Sequence, residues 1–112
     1  MAKTHGSEQM SQGFRILDKC EIADKVVVVY NWDDLGEDTE PRIGENVVCY
    51  DVSGKKLWTV NGMQHDQFWN VGPNMFVGIR RKGDEVYLNS FRCSSYRLEL
   101  ETGAVIFHES LK

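Results

Sequence analysis

Two stretches of this chain repeat one pattern, and that pattern restricts the fold more than any other feature. Residues 46–60 read NVVCYDVSGKKLWTV and residues 95–109 read SYRLELETGAVIFHE. Each is an alternating run that enters a glycine turn, at Gly54 or Gly103, with a large aromatic four residues on, Trp58 or Phe107. Strand side chains alternate between faces, so Val47 and Cys49 share one side of a ribbon and Val48 and Tyr50 the other. Glycine accepts the positive φ that tight hairpin turns require, and Asp51 and Ser53 can bond the turn backbone. Trp58 and Phe107 are therefore expected at equivalent, mostly buried places in two related hairpins.

The same signals extend along the chain. Strands are expected at Phe14–Cys20, Val26–Tyr30, Val47–Asp51, Lys56–Val60, Met75–Arg80, Glu85–Phe91, Ser95–Leu100 and Ala104–Glu109. Val26–Tyr30, four valines and a tyrosine, suits a central strand covered on both faces. Turns fall at Glu21–Asp24, Ser53-Gly54, Gly83-Asp84 and Thr102-Gly103. Two long connections interrupt the series. Trp32–Glu45 is acidic, turn-rich and without periodicity, and Asn61–Asn74 is bracketed by Asn-Gly and Gly-Pro, with room for one helical turn at Gln64–Asn70. No segment holds a 3.6-residue period over ten residues. The expected fold is all-β, with about eight antiparallel strands in two four-stranded meanders packed as a sandwich or a curved sheet. Residues 1–12 read as a flexible tail and 13–112 as a single β domain.

The paired hairpins resemble the blade motif of quinoprotein-type and WD-type β-propellers, roughly A-x-D-x-x-T-G-x-x-x-W. Glu99 stands at the Asp position, Thr102-Gly103 at the turn and Phe107 at the Trp. The first copy keeps Asp51, Gly54 and Trp58, with Ser53 for Thr and one residue fewer in the turn. The matched glycines lie 49 residues apart, near a blade period. A propeller closes with about four blades or more, so two must pack as a sandwich, a curved sheet or part of an oligomer. No residue set maps onto a quinone site. Small domains with such hairpins also resemble bacterial toxin-neutralising (immunity) families, which implies a protein partner.

Composition narrows the function classes. The three cysteines, Cys20, Cys49 and Cys93, are odd in number and lack C-x-x-C spacing, which argues against a disulfide framework and for a reducing, cytoplasmic location. Cys49, alternating within a strand, is expected to be a small buried hydrophobe. The first residues lack the apolar core of a secretory signal, and no apolar run approaches the ~20 residues of a membrane span. A net charge of −4 argues against general nucleic-acid affinity. Metal and phosphate motifs are missing, and His5, His65 and His108 are far apart in sequence. Cys93, in a turn beside Ser94, has no base joined to it by spacing. Arg80, Arg81, Lys82 and Arg92 cluster at hairpin ends and read as edge protection. No catalytic residue, metal site or cofactor is expected.

One charge block remains. Asp33, Asp34, Glu37, Asp38 and Glu40 place five carboxylates in eight residues. The spacing fails the EF-hand pattern. Such a block is most often a solvated connection held open by its own repulsion; it also steers a cationic partner toward the surface. Tyr30 and Trp32 lead into it, and Phe68 and Trp69 occupy the second connection. The expected function is a non-enzymatic interaction module, of immunity type if the resemblance holds. It would bind a basic protein through Trp32, Asp33, Asp34, Glu37, Asp38, Glu40 and Trp69. A dimer is left open. The alternative is a small-ligand-binding or enzymatic β protein with a cleft walled by Trp32, Trp69 and His65, and a third is a structural blade of a larger assembly.

Overall fold

In a computed structural model, residues 13–61 and 75–110 are described. They form eight antiparallel strands: β1 Ile16–Ile22, β2 Lys25–Tyr30, β3 Val47–Asp51, β4 Lys56–Thr59, β5 Phe76–Lys82, β6 Glu85–Ser90, β7 Ser94–Leu98 and β8 Val105–Ser110. They make two meanders, β1-β2-β3-β4 and β5-β6-β7-β8. The all-β expectation holds. Strand boundaries shift: β1 starts at Ile16 instead of Phe14 and runs on to Ile22, and Arg81 and Lys82 belong to β5 instead of its turn. The extensions to Ile22 and Lys82 come from turns tighter than expected. Ala23 and Asp24 accept left-handed φ values of 52° and 64°, and Gly83 accepts 64°. The expected tail and the Gln64–Asn70 turn lie outside the described residues.

The sheets pack face to face. Val27, Val29, Val47 and Cys49 of the first meet Val86, Leu88, Tyr96 and Leu98 of the second, with Ile22, Val60 and Phe76 in the same cluster. At about 1.5–3 kcal/mol for each large apolar side chain removed from water, this layer dominates stability. The contacting faces are not equivalent ones. Counted from the matching β1–β2 and β5–β6 turns, the first sheet contributes the third and fifth residues of β2, and the second sheet the second and fourth of β6. The sheets therefore stack front to back.

Polar side chains fix this stacking. Asn46, fully buried, donates through Nδ2 to the Tyr30 and Phe76 carbonyls, both at 2.8 Å, and accepts the Phe76 N–H at 2.9 Å. Asp18 of β1 accepts the Ile79 N–H of β5 at 3.0 Å. At the opposite edge Asn61 bridges to Ala104, and the Trp58 indole donates to the Leu100 carbonyl at 2.8 Å.

Trp58 and Phe107 are equivalent in sequence but not in environment. Opposite Cys49/Tyr50 the β4 register slips, so Trp58 pairs with Cys49 while Lys56 pairs with Tyr50. Such an extra residue rotates a side chain to the other face, and here it turns Trp58 onto the second sheet. A Cβ at Gly103 would stand 2.5 Å from its ring, and Gly103 has a φ of +82°, so only glycine fits. Phe107 packs against Tyr96 but is 42% exposed, correcting the expectation that both rings are mostly buried. Cys49 is buried as expected, and burial pushes its thiol up to about 11.

Candidate functional site

The acidic stretch is folded onto the outer face of the first sheet, contrary to its expected lack of structure. That face carries Val28, Tyr30, Val48 and Tyr50, an apolar patch that a thin two-layer protein would otherwise leave wet. Leu35, 8% exposed, fills its centre, with Phe14 and Ile43 beside it. The Tyr30 and Tyr50 hydroxyls bond each other at 2.7 Å beneath this cover, and burial raises both phenols above their ordinary range.

Local hydrogen bonds shape the connection. A 3-10 turn at Trp32–Asp34 is capped by Asn31, whose side chain accepts the Asp33 N–H at 2.9 Å. The Thr39 hydroxyl accepts the Gly36 N–H at 2.9 Å and lies 2.7 Å from the Pro41 carbonyl. The Glu40–Pro41 peptide is cis. A second 3-10 turn, Ile43–Glu45, leads into β3.

The carboxylates divide into two groups. Asp34 is held by Arg15: Nη2 reaches Oδ1 at 2.7 Å, Nε reaches Oδ2 at 3.0 Å, and the Arg15 N–H donates to Oδ2 at 2.9 Å. These bonds to Arg15 lower the Asp34 pKa to about 2. Asp34 is thus an anchor within the fold, held by Arg15. Asp33, Glu37, Asp38 and Glu40 point to solvent, and of these four only Glu40 has an ion pair among the described residues, with Lys56 at 3.4 Å.

Trp32 packs edge-on against Phe91, with ring centroids 5.7 Å apart. Phe91 sits in the β6–β7 turn and is 56% exposed. The Trp32–Phe91 pair joins one end of the acidic surface to the second sheet. Sequence reasoning missed Phe91, which it assigned to a strand, and missed Arg15, whose role depends on a carboxylate 19 residues away. Trp69, His65 and Phe68 lie outside the described residues, as does the cleft built on them. Among the described residues no three His, Cys, Asp or Glu side chains gather as metal ligands. Cys93 is exposed in its turn, and among the described residues no helix is long and apolar enough to cross a membrane.

Comparison with known proteins places this surface in a family. Residues 5–109 match DUF7957, a domain of unknown function. The chain belongs to the DUF7957 family. The match takes in the acidic connection, the Arg15 anchor and nearly all of both sheets, so the surface lies within the DUF7957 domain itself. A search of curated proteins found no match.

Proposed function

We propose that this domain is a non-enzymatic protein-interaction module that receives a basic partner on the acidic connection. The carrying observation is the orientation of that segment. Leu35 and Pro41 turn inward, while Asp33, Glu37, Asp38 and Glu40 turn outward on a frame fixed by the Arg15–Asp34 pair. A fixed array of carboxylates steers a cationic surface more selectively than a mobile one and costs less ordering entropy on binding. The Trp32–Phe91 pair beside it supplies apolar contact that persists when salt screens charge. The resemblance to immunity families makes a basic toxin the favoured partner, and three free thiols suit a cytoplasmic setting.

Binding kinetics against a copurified partner, across ionic strength, test this reading. Neutralising Asp33, Glu37, Asp38 and Glu40 together should slow association about tenfold or more in low salt, leaving the unfolding midpoint unchanged. Replacing Phe91 by Ala should mainly speed dissociation. A quadruple variant that associates at the wild-type rate in low salt would show the acidic surface to be a solvated cover only.

A further inference from the structure

The outer face of the second sheet holds a cluster that the interaction surface does not use. Arg80 of β5 and Tyr87 of β6 are direct cross-strand partners, with the guanidinium carbon 5.3 Å from the ring centroid. His108 of β8 lies against the same ring, with centroids 4.8 Å apart. These residues, with Arg81, Lys82 and Glu109, line an open cleft of about 330 Å³. Arg80 and Lys82, on the same face as Tyr87, thus place two permanent cations beside a cavity lined by one carboxylate, in a chain whose net charge is −4.

The cations are not spent on neighbouring acids. Among the described residues, Arg80, Arg81 and Lys82 have no carboxylate within ion-pair distance. Arg81 donates instead to the Gly83 and Glu21 carbonyls, which leaves its charge uncompensated. Glu85, which stands opposite Lys82, accepts the Tyr87 hydroxyl at 2.8 Å. Charges placed only to keep an edge strand soluble need no cavity and no aromatic support. Here the Tyr87 ring lies between Arg80 of β5 and His108 of β8 on a single face of the sheet, an arrangement that preorganises donors.

A second observation lies one row along the same face. Asn89 and Ser95 are cross-strand partners, and the Asn89 Oδ1 and Ser95 Oγ atoms are buried with no hydrogen-bond partner. Ser95 in turn stands opposite Glu109 of the cavity wall.

We propose that this cleft is a binding site for a small phosphate monoester. A guanidinium fork with an adjacent ammonium matches a tetrahedral dianion, with Arg80 supplying paired donors and Lys82 a point charge. The volume is near the lower end for ligand pockets and admits a compact metabolite, not a polymer. The site is separate from the acidic surface, so it stands or falls independently of the partner-binding reading.

Calorimetric titration of the full chain with inorganic phosphate, at ionic strength held constant with chloride, tests this assignment. Saturable binding at one site per chain is expected, with acetate much weaker and with the His108 ring resonances shifting as the site fills. Arg80→Ala and Lys82→Ala, both at exposed positions, should each weaken phosphate binding about tenfold. Arg80→Lys, which keeps the charge but loses the fork, should fall between. Lys19→Ala, on the other sheet, should bind as wild type. Non-saturable heats, equal affinity for acetate, or equal weakening by Lys19→Ala would overturn the assignment.

Discussion

Sixteen residues connect β2 to β3 and lie over the outer face of the first sheet, whereas only three residues connect β6 to β7. The chemistry of the faces accounts for the difference. Val28, Tyr30, Val48 and Tyr50 present an apolar surface that must be kept from water, whereas Tyr87, Asn89, Ser95 and Arg97 give the second sheet's outer face a more polar character. A repeated meander can thus keep its strand order and diverge in function through one connection. In this domain the insertion that covers one sheet also supplies its charged surface. The outer face of the second sheet carries the cleft.

Substitutions on the two faces should expose this asymmetry. The largest effect is expected for Tyr50→Ala, at about 3–5 kcal/mol, because a fully enclosed ring leaves a cavity. Ile106→Ala, at 47% exposure on the second sheet's outer face, should change stability by about 0.5 kcal/mol or less. Equal losses in chemical denaturation would mean that the outer faces are equally covered.

An intermediate contrast concerns the two matched aromatics. Trp58→Ala should cost about 3 kcal/mol, since it removes packing on Gly103 and strands the Leu100 carbonyl. Phe107→Ala should cost about 1 kcal/mol, in keeping with its exposure. A Phe107→Ala loss as large as that of Trp58→Ala would show that another surface covers Phe107 in solution, most simply a second copy of the chain.

The smallest effect is electrostatic and falls only on the covered sheet. The folded-state pKa of Asp34, about 2, lies below the unfolded value of about 3.9. Its contribution is therefore fully present above about pH 4 and is lost as pH falls toward 2. The Asp34 carboxyl followed by NMR should titrate near 2 and move to an ordinary value in Arg15→Ala. A wild-type midpoint near 4 would mean that Arg15 does not anchor the acidic segment.

Much of this architecture is legible in the sequence. Alternation and turn chemistry locate all eight strands, because a strand's pattern and its bounding turn are local. The acidic cover was not legible as structure. Leu35 and Pro41 are isolated apolar residues in a charged run, and their burial depends on a sheet face that only tertiary pairing creates. Phe91 escaped notice for a similar reason, since its partner Trp32 lies 59 positions earlier. Arg80, Arg81 and Lys82 were visible as a basic run. Their juxtaposition with Tyr87 and His108 follows from the β5-β6-β7-β8 order, which composition does not encode.

Asn46 gives the molecule an internal gauge. The amide proton of Phe76 has a side-chain acceptor on the other sheet, so it is released when the sheets part and not by fraying of either meander. Its hydrogen exchange consequently reads the free energy of separating the layers. If it exchanges with the slowest amides of β2 and β6, the two meanders unfold as a single cooperative unit. If it exchanges ahead of them, each meander keeps its own ladder after the interface has opened.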